Sequence, residues 1–200
     1  MSCEKVYISL GGDCAVAHNL RKLDLVHEAF PFDWIKINSV KMIKETLELS
    51  FSNFFDNYKL IEQSMNFFNE EEPTKLSLIK LKLSNGIILP HEAQGTMFNE
   101  EEFKQKYLRR IERFNKIVRD DKILKVFVRA DDKITEKDKL LLYSTLDKYG
   151  ILNYSIIFVN YSDYLDKIKS TTFDWKREYI DWKERIEKID LFTIYKIMFI

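Results

Sequence analysis

The sequence predicts an α/β fold with a central mixed, partly parallel sheet and helices on both of its faces. Three observations carry that expectation. Apolar runs at Val6–Leu10, Ile123–Val128 and Tyr154–Val159 alternate with helical periodicities, the grammar of repeated strand-helix-strand units. Lys75–Leu83 alternates apolar with polar residues ahead of Asn85-Gly86 and Ile87-Ile88-Leu89, the pattern of an antiparallel hairpin. The 200 residues are 46% hydrophobic and 14% aromatic and contain no linker-like stretch, so one domain over residues 1–200 is expected.

Val6–Leu10 is closed by Gly11-Gly12, a buried strand entering a tight turn. Asp13 is placed to cap the next helix, in which Ala15, Val16, Leu20 and Leu23 recur at helical spacing and Cys14 falls in the first turn. Leu25–Trp34 contains Phe30-Pro31-Phe32-Asp33-Trp34. Pro31 forbids a helix interior and holds Phe30 extended, so this is an aromatic loop packed back on the core. Ser39 can cap a helix through Leu49, and Phe51–Phe55 adds a short aromatic turn. The hairpin turns at Ser84-Asn85-Gly86, and His91 sits just beyond its second strand, after Pro90. Phe103, Tyr107, Ile111, Phe114 and Val118 stripe one face of a helix over Glu100–Arg119. Thr135–Tyr149 reads as a helix stopped by Gly150, and Lys176–Ile197 as another.

Lys+Arg and Asp+Glu are both 32, so no net field draws in nucleic acid or an anionic membrane. Met1–Lys5 is too polar to open a signal peptide. Leu191–Ile200, the longest apolar candidate, is interrupted by Thr193 and Lys196, and reads as a docked tail rather than an anchor. Of the 2 cysteines, Cys3 reads as a bystander, and a reducing, cytoplasmic setting is expected.

Cys14 is the residue with chemistry to offer. A thiol at a helix N-terminus faces unpaired N–H groups and the positive end of the macrodipole, which favour the thiolate. Ligands of open parallel sheets gather beyond the carboxyl ends of the strands, so Gly11, Gly12, Asp13 and Cys14 should share a crevice with Arg129, Asp131, Asp132 and Asn160. A cysteine nucleophile needs a base and a group that orients it. Among the 3 histidines, His18 shares the helix face of Cys14 and splays along it, and His27 lies among charged loop residues. His91, beside Glu92, is the preferred base, with Asn160, Asp131 or Asp33 as the orienting group. Asp33 reads equally as an Asx-type cap within its aromatic turn.

Gly12, Asp13, Arg129 and Trp34 are the candidate substrate-binding residues. Arg129 leaves a buried strand and suits either a carboxylate or phosphate clamp or a buried ion pair with Asp33 or Asp13. Cys14 and His18, with Cys3 and His91, number enough for zinc, but no Cys-x-x-Cys pair supports it, so neither metal nor cofactor is expected.

Ser9-Leu10-Gly11-Gly12-Asp13-Cys14, Leu20-Arg21-Lys22-Leu23 and Pro31-Phe32-Asp33-Trp34 together resemble the N-terminal signature of a family of papain-like cysteine peptidases found in bacteria and large DNA viruses. His91 before an acidic residue, the Tyr107–Phe114 helix segment and Val126-Phe127-Val128-Arg129 are also similar, which extends the resemblance to about Asn160. It implies a nucleophile at Cys14 and a histidine at His91, acting through a thioester on a peptide, protein, amide or ester substrate. Acyl transfer shares that chemistry. The rival readings are an inactive protein-binding module that presents aromatic segments such as Phe51–Phe55 and Phe67-Phe68, and a phosphate-ligand domain clamped by Arg129 and the Gly-Gly turn.

Overall fold

The structure, a computed structural model, describes residues 4–68, 73–93, 98–167 and 175–187; Cys3 and the 191–200 tail lie outside them. In chain order come β1 (Lys5–Ser9), α1 (Cys14–Lys22), α2 (Val40–Glu48), β2 (Lys59–Phe68), β3 (Pro73–Lys82), β4 (Ile88–Ala93), α3 (Glu100–Arg119), β5 (Leu124–Asp131), α4 (Glu136–Lys148) and β6 (Tyr154–Asn160). Short 3-10 turns follow α2 and β6.

The α/β class and the three parallel strands are as the sequence predicts, and the strands divide between two sheets. One is parallel, in the order β1-β5-β6; the other is antiparallel, in the order β2-β3-β4. The hairpin expected at 75–89 is the β3–β4 pair, turning through Asn85-Gly86. β2 was not visible in the sequence, because Glu62, Gln63, Ser64 and Asn66 break its apolar pattern and its conformation comes from pairing with β3 along its whole length.

Alternation along the parallel strands sends side chains to two cores. Ile8, Phe127 and Ile156 enter the core closed by α2, α3, α4 and the aromatic loop. Tyr7, Val126, Val128, Ile157 and Val159 enter the second, closed by Ala15, Val16 and Leu20 of α1 with Ile180, Trp182 and Ile186. Helical structure in that last segment starts at 182 rather than at Lys176. Arg177 has φ +54, which no helix interior accepts, and residues 175–180 form turns. The remainder of the helix expected to Ile197 lies outside the described residues beyond 187.

The caps expected at Asp13 and Ser39 are present, and Asn99 and Thr135 cap the other two helices. Asp13, Ser39 and Asn99 accept backbone N–H bonds at the starts of α1, α2 and α3, and Thr135 with Asp138 forms a capping box on α4. A short segment at Lys36 and Ile37 bonds to both sheets. Lys36 bridges Ile88 of β4 by reciprocal hydrogen bonds of 2.8 and 3.1 Å, and the next residue, Ile37, donates to the Gly12 carbonyl at 3.0 Å. None of the described helices is long and apolar enough to cross a membrane.

Candidate active site

The turn that launches α1 is pressed against β5. Leu10 N–H donates to the Val128 carbonyl at 2.8 Å, and Ala130 N–H returns a bond to Gly11 O at 3.3 Å, so the ladder continues past the end of β1. Gly12 has φ +113, and a Cβ there would lie 1.8 Å from the Ala130 carbonyl oxygen. Only glycine fits, and its role is this close approach to the chain's own backbone. Asp13 then caps the helix through Ala15 N–H at 3.0 Å. Its carboxylate also accepts from Tyr161 Oη at 2.7 Å and pairs with Arg177 at 3.5 Å, whose guanidinium lies over the Tyr161 ring. Cys14 is therefore the first helical residue of a rigidly anchored turn.

The partner comes from the other sheet. Between Leu81↔Leu89 and Ile79↔Ala93 the β3–β4 register shifts, so that Pro90, His91 and Glu92 bulge opposite the single residue Lys80. The strand continues through Pro90, which a bulge tolerates, so His91 lies within β4 rather than beyond it. There its Nε2 is 3.3 Å from Cys14 Sγ.

Trp34 meets the imidazole edge to face, with centroids 6.1 Å apart and planes at 84°. Trp34 has φ +62, and Asp33 holds that kink by accepting the Phe30 N–H at 2.8 Å while its own N–H bonds Phe30 O. The Pro-Phe-Asp-Trp run is thus a capped turn that sets an indole against His91.

Burial, and then the adjacent Asp13 carboxylate, push the Cys14 thiol up to about 12; Lys80 and the residue's own N–H pull the other way. Burial also lowers the His91 imidazole below its ordinary value, with Glu92 opposing and Lys106 and Lys80 adding to the effect. Both shifts, the thiol's upward and the imidazole's downward, favour the neutral form of each group. Burial thus opposes the helix terminus, which contributes about 0.3–1 kcal/mol toward the thiolate at a surface.

A family model described as "Putative papain-like cysteine peptidase" matches residues 5–163. The chain belongs to that family. It is also similar to an uncharacterised protein of Acanthamoeba polyphaga mimivirus, 28% identical over 221 residues that cover 92% of this chain and 98% of that protein. No solved structure matches the chain. The family span includes Cys14, Trp34 and His91 and stops short of Arg177.

The other residues singled out in the sequence fall elsewhere. Among the described residues no carboxylate or amide hydrogen-bonds the outer face of His91, so none of the three candidates orients it. Asn160 accepts the Ile134 N–H at 2.8 Å and donates to Asp163, fastening the loop before α4. Asp131 accepts from Arg129 and from Asp132 N–H. Asp33 is the cap of its own turn, and its carboxyl, desolvated by burial, is raised to about 6.

Arg129 is no substrate clamp. It is fully enclosed and donates to Leu10 O at 3.3 Å, Ile37 O at 2.9 Å and Asp131, its ion-pair partner in place of Asp33 or Asp13. It braces the exit of β1 against the segment that joins the two sheets. Asp13 is likewise committed to capping, Tyr161 and Arg177. Of the four candidate substrate-binding residues, Trp34 alone faces the pair. His18 packs on Trp175, and exposed His27 pairs with Asp24 at 3.6 Å, so neither competes with His91.

Sequence reasoning missed Tyr161 and Arg177, and also Lys106 and Tyr107, which hold Glu92 at 2.8 and 3.0 Å. Arg177 lies in a segment with no strand pattern to place it. Lys106 and Tyr107 lie on a helix face that periodicity did show, but what that face meets depends on the bulge.

Proposed function

We propose that the protein is a cysteine hydrolase of the thioester type, acting on a peptide or other amide bond. The observation that carries this reading is the 3.3 Å approach of Cys14 Sγ to His91 Nε2, made across two sheets by residues 77 positions apart. Sγ attacks the carbonyl carbon while Nε2 takes the thiol proton, so the thiolate forms only as the S–C bond does. With Ala15 N–H taken by the Asp13 cap, the Cys14 N–H at the start of α1 is the backbone donor that meets the carbonyl oxygen as it gathers negative charge. The C–N bond breaks, and the imidazolium returns its proton to the leaving amine. Water then attacks the thioester, Nε2 accepts a proton from it, and the acid leaves as the thiol re-forms. Trp34 walls the imidazole on one side and keeps Nε2 directed at Sγ. Resolution of the thioester by an amine or alcohol instead of water would make the enzyme an acyltransferase with the same residues.

A peptidyl vinyl sulfone tests the reading. The expected result is one adduct at Cys14, absent in Cys14→Ala and slowed about 100-fold or more in His91→Ala. Labelling of Cys14 at equal rates in wild type and His91→Ala overturns it.

A further inference from the structure

Most of α1 is turned into the protein, with Ala15, Val16, Ala17, Asn19 and Leu20 buried. What reaches solvent is Cys14, His18, Arg21 and Lys22, at the i, i+4, i+7 and i+8 spacing of one helix face. Cys14 therefore stands at the N-terminal end of the one stripe of its helix that the core does not cover. Two tryptophans border that stripe. Trp175, 40% exposed, meets His18 edge to face with centroids 5.2 Å apart. Trp34 carries the Arg21 guanidinium over its ring at 5.6 Å and meets the His91 imidazole at 6.1 Å.

Arg21 lies two helical turns beyond Cys14, about 10 Å along the axis, and helical side chains lean toward the N-terminus, here toward the thiol. The carboxylates of the surrounding segments are committed to other groups. Asp24 pairs with His27 at 3.6 Å, Glu28 with Arg113 at 2.9 Å and Glu178 with Lys22 at 3.3 Å. Asp33, 2% exposed, accepts the Phe30 N–H. Among the described residues Arg21 has the indole ring as its side-chain partner and no carboxylate within ion-pair distance. Stacking occupies the face of a guanidinium and leaves its N–H edge open to a two-pronged acceptor.

We propose that this stripe is the floor of the substrate groove and that Arg21 is its specificity residue, receiving a carboxylate of the substrate about 10 Å from the carbonyl that Cys14 attacks. The preferred substrates are then peptides or other amides with an acidic side chain or a chain-terminal carboxylate about three residues from the bond that is cut, since an extended chain covers about 3.3–3.6 Å per residue. The inference rests on the nucleophile–base reading above and adds a substrate class to it. Trp34 joins the two functions, as one indole packs on the imidazole and holds the guanidinium that selects the acid.

The test uses bromoacetyl reagents of graded reach, N-bromoacetylglycine and N-bromoacetyl-ε-aminocaproate, each compared with its terminal amide and read by peptide mass at Cys14. The longer carboxylate stands about 10 Å from its reactive carbon when extended, and the shorter one about half as far. In wild type the acid-to-amide rate ratio is expected to be about fivefold higher for the long reagent than for the short one, and added salt lowers that gain. Arg21→Gln removes the gain without changing the amide rates, and Lys22→Gln, the neighbouring cation, keeps it. Equal ratios for the two reagents in wild type, a gain that survives Arg21→Gln, or an equal fall of acid and amide rates in that variant overturns the proposal and leaves the nucleophile reading intact. A Cys14 that reacts with none of the reagents in the folded protein but with all of them after unfolding overturns the two together.

Discussion

The two halves of the Cys14–His91 pair are held in different ways. Cys14 sits on the parallel sheet, at a turn fixed by Gly12 against Ala130, by Arg129 on Leu10 and Ile37, and by Asp13 between Tyr161 and Arg177. His91 sits on the antiparallel sheet, in a bulge, with an aromatic wall and Cys14 itself as its side-chain neighbours. Cys14 is positioned by hydrogen bonds and buried charge, and His91 by strand pairing and one indole. The difference teaches that the site is an interface between sheets. The segment at Lys36 and Ile37 bonds to both, and residues of both sheets pack in one core.

The largest effects come from removing the pair itself. Cys14→Ala abolishes turnover of any amide or thioester substrate, and His91→Ala lowers kcat/KM about 1,000-fold, both with unchanged thermal unfolding. Next comes the brace on the nucleophile side. Arg129→Met leaves the Leu10 and Ile37 carbonyls without their side-chain donor in the interior and takes the ion-pair partner from Asp131, and costs about 3–5 kcal/mol in urea unfolding. Trp34→Leu, the corresponding loss on the base side, leaves stability within about 1–2 kcal/mol of wild type but lowers kcat with little change in KM. If Arg129→Met proves as mild as Trp34→Leu, the contrast between the two halves is wrong.

Asp33 sharpens the contrast through pH. Its buried carboxyl, raised to about 6, binds a proton more tightly in the folded than in the unfolded chain. The stability this supplies is complete below the unfolded value of about 3.9 and is lost as pH rises through about 6. Asp33→Asn keeps an acceptor for the Phe30 N–H and removes the titration. Relative to wild type it gains on the order of 2 kcal/mol between about pH 4 and about pH 7, as melting curves at the two pH values should show.

The smallest effect is at Arg177. Arg177→Met leaves Asp13 less compensated beside the thiol and slows Cys14 alkylation a few-fold, about threefold, at constant pH. The slowing is greater at low salt than at high salt.

The nucleophile half was the legible one. A buried run, two glycines, a capping aspartate and a cysteine are local in sequence, and α1 with its Asp13 cap follows from local rules. The Asx-type cap at Asp33 was legible for the same reason. The base half depends on contacts distant in the chain. His91 could be picked as a residue near a strand end, but the bulge that aims it arises from the register between β3 and β4, and β2 carries no pattern of its own.

Burial of Cys14, which opposes the pull of the helix terminus on its thiol, is a tertiary property that local sequence does not carry. Arg129 was expected to pair with Asp33 or Asp13; its partner Asp131 stands two residues on along the same strand and so on the same face, a spacing that could have found the pair.

The central claim is that Cys14 and His91, from separate sheets, stand close enough to act as one group. Dibromoacetone, which alkylates at both ends of a three-carbon bridge, measures this directly. Treatment of the folded protein followed by peptide mapping should give a covalent link between the Cys14 and His91 peptides, formed in wild type and absent in His91→Ala. Alkylation of Cys14 at one end only, with His91 unmodified, would contradict the account.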